Sequence, residues 1–403
     1  MMSLWHKRID DITADDVDQF LQKKHSEGLR LDYKLEPNKI GKPIAALANA
    51  FGGLLIFGVS THQNQPIWPP TGNNASASID DGFRDSIVQA ANALWPPAAV
   101  EVSRVLVNPH DSNANLCVVR VPESPDAPHA ADDGTRVYIR TGDQSNPIDL
   151  AKLDRLEYLL ARRKKSELER DDLIARARRR AIHKLPLFNE KVEVPLRWVS
   201  AIPLFPWRNL ASQSTCQRLI EVFPAGAPIE VQRVPGGAIG IVHEHCHNLG
   251  LSSTDQSYGQ SGRHPVLMLG AEQKGHYFAF QRVYADGQRS GIRLGPSVRL
   301  ARTVFATAQH FLNSADVEKP GYLQLTIGIE NALELRMFKP YTEAQSDAFP
   351  DPQFICQRII PFDEFSSFVF QEGRIPDFEH ELYCELATSF NVDPARQDDW
   401  GRA

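Results

Sequence analysis

The chain has 403 residues, a hydrophobic fraction of 42% and a formal net charge of −6. That composition suits two or three globular domains and excludes a disordered or collagen-like chain, and the net acidity excludes a general coating of nucleic acid while leaving room for a local basic face. No run approaches the roughly 20 apolar residues of a membrane span, and the N-terminus MMSLWHKRIDDITADD lacks the apolar core of a signal peptide; a cytoplasmic protein with no membrane partner is expected. The five cysteines, Cys117, Cys216, Cys246, Cys356 and Cys384, are odd in number and contain no C-x-x-C, so they signal neither a disulfide framework nor a zinc ribbon.

In chain order, ITADDVDQFLQKK (12–24) reads as a helix with an acidic first turn, Val17, Phe20 and Leu21 on one face and a basic end. LRLDYKLE alternates apolar with polar and reads as a strand. Pro43 suits the first turn of a second helix, whose face carries Ile44, Leu47 and Phe51. Gly52-Gly53 end that helix, and LLIFGVS follows as a buried strand. FRDSIVQAANALW is an amphipathic helix stopped by Pro96-Pro97. The short strands VEVSRVLV, LCVVRV and RVYIR complete an α/β pattern over roughly 150 residues.

Residues 148–185 lack Gly and Pro and are rich in cations, including RRKK (162–165) and RARRR (176–180). One long helix or two consecutive helices are expected, either as a solvated linker or as a basic arm touching phosphate backbones. From Pro195 onward strand-like runs dominate (WVSAIPLF, GAIGIVHEH, HPVLML, HYFAFQRVY, YLQLTIGI, ALELRMF), with helices at VRLARTVFATAQHFLNS and DFEHELYCELATSF. The expected layout is an α/β domain over 1–148, a basic helical connector over 149–190 and an α+β domain over 191–403.

The glycine pair raises the question of a phosphate cradle. A P-loop runs strand, glycine loop, helix, and ends in Lys-Ser/Thr. Here the helix comes first and the strand last, no such lysine follows, and the glycines lie at a helix C-terminus, where the dipole repels phosphate. A structural corner is the better reading: a left-handed helix end lying close against the next strand.

With these residues in view, a resemblance emerges. The segment from Glu27 through Asp32 and Lys34, then A48-N-A-F-G-G-L-L-I-F-G58-V59, then V137-Y-I-R140-T-G142, resembles the Schlafen AlbA-type domain over roughly residues 14–160. Asn49, Gly52, Gly53 and Gly58 carry the motif. The resemblance implies an AlbA-like α/β fold of a bacterial kind, nucleic-acid binding, and a regulatory or defence setting. Some Schlafen proteins are metal-dependent endoribonucleases that use three carboxylates. Carried over, the first two fall on Glu27 and Asp32, and a Mg²⁺ or Mn²⁺ ion would be their cofactor. The third falls at Ser60-Thr61, where no acid stands.

Three functions stay open at this point: a protein that binds RNA or DNA, an endoribonuclease built on Glu27 and Asp32, and a protein-interaction module without nucleic-acid chemistry. For binding, Lys34, Lys39, Lys42, Arg136 and Arg140 are the candidate phosphate contacts, the two arginines sharing one strand face. H243-E-H-C-H places His243, His245 and His247 on one face of a strand, as candidate zinc or iron ligands or as a polar face. A homo-oligomer is left open.

Overall fold

The structure, a computed structural model, describes residues 4–80, 82–132, 134–141, 144–148, 153–185, 195–222, 229–243, 265–282, 291–292, 294–333, 336–337, 349–367 and 377–390. The chain divides into two compact units, Met1–Glu167 and Leu168–Ala403. Both mix helix and sheet, the class expected from the sequence.

In the first unit, α1 (Ala14–Gln22) starts at a capping box: the Thr13 hydroxyl accepts the Asp16 N–H, and the Asp16 carboxylate accepts the Thr13 N–H. β1 (Leu31–Lys34), α2 (Gly41–Ala48) and β2 (Gly53–Phe57) follow. β1 and β2 pair in parallel, which requires a crossover between them, and α2 is that crossover. A small hairpin, β3 (Thr61–His62) with β4 (Gln65–Pro66), leads to α3 (Phe83–Asn92). β5 (Glu101–Val102), β6 (Leu106–Val107) and β7 (Asn115–Val121) complete the sheet, in the order β1-β2-β7-β5 with β6 also on β7.

That sheet is covered on both faces, which is why β2 reads as an unbroken apolar run. Leu55 and Phe57 pack with α2 and α3 residues such as Leu47, Phe83 and Ile87. Leu54 and Ile56 pack with Val17, Phe20 and Leu21 of α1. A second sheet has the order β10-β9-β8, from β8 (Ala130–Ala131), β9 (Arg136–Thr141) and β10 (Gln144–Ile148).

The glycine corner is structural. Gly52 has φ +61°, its N–H reaches back to the Leu47 carbonyl, and a Cβ there would lie 2.6 Å from the Glu123 nitrogen. Gly53 passes so close to β1 that a Cβ would meet the Arg30 carbonyl oxygen at 2.3 Å. Gly58 has φ +93° and would meet the Asn115 oxygen at 2.2 Å. Asn49 is buried and ties the end of α2 to the second sheet: its side chain donates to the carbonyls of His129 and Tyr138, each at 2.9 Å, and accepts the His129 N–H at 2.7 Å.

One helix, α4 (Leu153–Lys184), runs through the boundary between the units. In the second unit, β11 (Leu196–Pro203), α5 (Gln213–Val222), β12 (Ile229–Val234), β13 (Gly237–His243), β14 (Pro265–Glu272) and β15 (Tyr277–Arg282) come first. β16 (Gly291–Ile292), α6 (Leu294–Asn313), β17 (Tyr322–Glu330), β18 (Arg336–Met337), β19 (Gln353–Pro361), α7 (Phe362–Ser367) and α8 (Asp377–Ser389) follow. Seven of these strands form one antiparallel sheet, β12-β13-β14-β15-β11-β17-β19, while β16 and β18 pair with each other.

Period-2 alternation splits its side chains. Val199, Ala201, Leu269 and Leu325 join helix residues such as Ile220, Phe305 and Phe311 on one face. Trp198, Met268, Phe278 and Phe280 pack under Ala177 and Ala181 of α4 on the other.

Candidate functional site

The Gly28–Leu31 turn, closed by a 3.0 Å bond from the Gly28 N–H to the Leu31 carbonyl, folds Glu27 back along β1. Glu27 Oε1 accepts the Tyr33 backbone N–H at 2.9 Å. Asp32 and Lys34 share one face of β1 by alternation, and the Lys34 amine donates to Asp32 Oδ1 at 2.9 Å. The Arg140 guanidinium approaches Asp32 Oδ2 at 3.4 Å and donates to the Gly28 and Leu31 carbonyls. The structure thus brings to one point residues that the sequence suggested for different roles, Glu27 and Asp32 as candidate catalytic acids and Lys34 and Arg140 as candidate phosphate contacts.

The electrostatics of this point are unusual. Asp32 is only 1% exposed. Burial pushes the Glu27 carboxyl up to about 7, and the hydrogen bond and charge of Asp32 push it the same way, against the Tyr33 N–H and Lys34. Near neutral pH the Glu27 carboxyl is therefore only partly ionised.

A divalent cation does not fit this donor set well. Two carboxyls already face two cations, Lys34 and Arg140. The position where Schlafen nucleases carry a third acid holds Ser60, whose hydroxyl donates to Asn74 Oδ1 at 2.7 Å, and Thr61, on an exposed hairpin. Among the described residues no group of three or more His, Cys, Asp or Glu could hold a metal ion. His243 ends β13, and His245 and His247 lie outside the described residues.

The candidate phosphate contacts separate by exposure. Lys39 is exposed in a left-handed turn (φ +52°) just before α2. Lys42 is half-buried, its amine 5.2 Å from the centre of the Tyr138 ring. Arg136 is 66% exposed, 4.0 Å from Asp132. Arg140 shares its strand face with Arg136 as expected, but burial takes it out of reach of a ligand backbone; its work is to hold Asp32 and the Gly28 turn.

Part of the basic run on α4 is engaged by partners within the protein, while Lys164, Lys165 and Arg179 are exposed. Arg162 donates to the Asn49 and Ala50 carbonyls at 3.1 and 2.7 Å and pairs with Glu123, so it caps the C-terminus of α2, where a cation is favoured. Arg170 bonds Gln324, Arg178 pairs with Glu330, and Arg180 pairs with Glu272. Nothing in the spacing of RRKK or RARRR distinguishes a helix-capping arginine from a phosphate contact, which is why the sequence suggested an arm.

A second constellation went unseen in the sequence because its members are far apart. Ser200 Oγ lies 3.0 Å from His276 Nε2, and His276 Nδ1 lies 3.1 Å from Glu272 Oε2. The outline is that of a nucleophile relay, but all three are buried, and Ser200 sits mid-strand between β15 and β17 with its backbone in the ladder. Held this way, the trio links β11 to the end of β14 and the start of β15.

Residues 18–149 match the family model described as Schlafen, AlbA_2. The chain thus carries a Schlafen, AlbA_2 domain in its N-terminal part, and the remaining residues lie outside the match. No curated protein matches the chain. Among solved structures, the DIP2311 protein from Corynebacterium diphtheriae aligns at 17% identity over 34% of this chain and 26% of that one, with a TM-score of 0.23. The chain thus spans about a quarter of that protein's length, and the likeness is too slight to carry a fold assignment. No helix among the described residues is long and apolar enough to cross a membrane.

Proposed function

We propose that this protein binds nucleic acid through its N-terminal domain and does not cleave it. The match of residues 18–149 to Schlafen, AlbA_2 carries the reading. The exposed cations Lys39 and Arg136, with Lys42 and the outer part of Lys34, give it a place, because phosphate contacts need cations and donors rather than a metal. Arg140 and Asp32 act as the internal frame that fixes β1, β9 and the Glu27 turn.

The carboxyl pair supports binding without cleavage. A hard divalent cation seeks several ionised oxygen ligands, whereas here Glu27 is only partly ionised near neutral pH and two basic side chains already face Asp32. The testing experiment measures anisotropy of labelled single-stranded and duplex RNA and DNA with the full chain at 50 mM salt, with and without Mn²⁺. Binding that weakens with salt, with intact strands, is the expected result. No binding to any of the four overturns the reading, and Mn²⁺-dependent cleavage lost in Glu27→Ala replaces it with an endoribonuclease.

A further inference from the structure

The seven-stranded sheet of the second unit ends in β12 and β19, and the two edges differ. An edge strand presents unpaired N–H and C=O groups, which proteins blunt with short strands, charges or proline. β12, six residues long, is blunted: Glu230 and Arg233 are exposed along it. β19 has nine residues, and its exposed side chains are Gln353, Ile355, Gln357, Ile359 and Pro361. None of these is charged, and Ile355 and Ile359 are 50% and 49% exposed.

The two ends of the β17–β19 ladder show which backbone groups point outward. The Phe362 N–H donates to the Gly321 carbonyl at 3.0 Å, and the Pro352 carbonyl accepts the Ala332 N–H at 2.8 Å. Along an extended strand, successive residues turn their backbone groups to opposite edges. The even-numbered residues of β19 therefore bond β17, and Gln353, Ile355, Gln357 and Ile359 offer theirs away from the sheet. Pro361, which has no N–H, falls in the outward set, where proline is tolerated. Among the described residues no backbone group pairs with this outward set. The Gln357 carbonyl accepts the Arg358 side chain at 3.0 Å, which leaves it a second lone pair.

We propose that β19 pairs antiparallel with β19 of a second copy of this chain, about a twofold axis at Gln357, joining two seven-stranded sheets into one. An outward row of N–H and C=O groups is complementary to another extended strand, and the side chains select the chain's own. With the axis at Gln357, Ile355 faces the partner's Ile359, Gln357 faces the partner's Gln357, and Gln353 faces the partner's Pro361. Moving the axis one residue, to Cys356, would set each isoleucine against a glutamine. On the other face of the strand the chosen register sets Arg358 opposite the partner's Cys356. That thiol donates to Glu385 of its own chain, so each guanidinium meets an acidic position rather than another cation. Within one copy Arg358 already bonds Glu381 at 2.8 Å and also Glu385, which keeps like charges off the seam. The twofold repeats every one of these matches, as an isologous interface requires. The pairing stands apart from the nucleic-acid reading above.

The test is sedimentation equilibrium of the full chain at micromolar concentrations, with a reductant present so that no disulfide joins the copies. The wild type is expected to show twice the mass of one chain. Ile355→Glu combined with Ile359→Glu sets acid against acid across the axis, and the mass is expected to fall to that of one chain. Ile355→Lys combined with Ile359→Glu sets lysine against glutamate twice, and the doubled mass is expected to return. That return also guards against a folding defect, since both double variants place charges at the same half-exposed positions, and unchanged circular dichroism of the first confirms it. A wild type with the mass of one chain overturns the pairing. So does a doubled mass that survives Ile355→Glu with Ile359→Glu, which would place the interface elsewhere. A mass that falls in that variant and is not restored by the lysine–glutamate variant overturns the register centred on Gln357.

Discussion

Two carboxyls, the half-buried Glu27 in the first unit and the buried Glu272 in the second, are perturbed in opposite directions. Glu27 is pushed up to about 7 by burial and by Asp32. For Glu272 burial also acts upward, but the hydrogen bond from His276 and the Arg180 guanidinium outweigh it and hold the carboxyl below its usual range. The difference lies in the company. Glu272 is surrounded by partners that favour its charge, and the Ser200–His276–Glu272–Arg180 line is a closed structural network. Glu27 shares its site with a second acid and stays half open to solvent. A group held in an unfavourable protonation state beside solvent is the pattern expected where a ligand acts; a fully partnered one belongs to the frame.

The comparison can be broken most severely at Arg140. Arg140→Ala leaves Asp32 buried without its guanidinium and is expected to cost about 3–5 kcal/mol, read as an early urea transition of the full chain. A change under about 1 kcal/mol would show that Lys34 alone compensates Asp32. Gly53→Ala tests the corner that aligns β1 with β2: the Cβ would collide with the Arg30 backbone, and a loss of about 3 kcal/mol is expected, by the same measurement.

His276→Ala sharpens the other half, with an expected cost of about 1–3 kcal/mol from leaving Ser200 and part of Glu272 unpaired. Glu272's contribution is fully present above about pH 4.5 and is lost as pH falls through its depressed value. The variant should therefore lose most of its penalty in acid, as unfolding curves at pH 7 and pH 3 would show.

Glu27→Gln gives the smallest effect and the opposite sign. A raised carboxyl binds more protons in the folded state, so its ionisation removes stability between about pH 4.5 and about 7. The glutamine variant should match the wild type at pH 5 and exceed it at pH 8 by about 1 kcal/mol, once screening on the open side is allowed for. Equal stability of the two proteins at both pH values would show that the site does not raise the Glu27 carboxyl.

Much of the N-terminal fold was legible in the sequence because its signals are local. The acidic first turn of α1, the apolar run of β2 and the glycine corner each depend on neighbours within a few residues. The roles of cations were not legible. Arg140 and Arg162 reach across more than 100 residues to the carbonyls they bind, and no pattern around RVYIR or RRKK separates them from surface arginines. Trp95 closes an amphipathic segment and reads as a core residue, yet the folded chain leaves it 74% exposed. The Ser200–His276–Glu272 line is assembled by strand pairing between distant segments, which periodicity does not reveal.

The most direct measurement of the central claim is the salt dependence of single-strand binding. Between 50 and 200 mM salt the logarithm of the association constant should fall linearly with the logarithm of salt concentration. The slope should become shallower by about 0.7 for each of Lys39→Ala and Arg136→Ala, and the slope of Arg179→Ala on α4 should match the wild type. No binding at 50 mM, or a slope indifferent to Lys39 and Arg136 but altered by Arg179, would contradict an interface on the N-terminal domain.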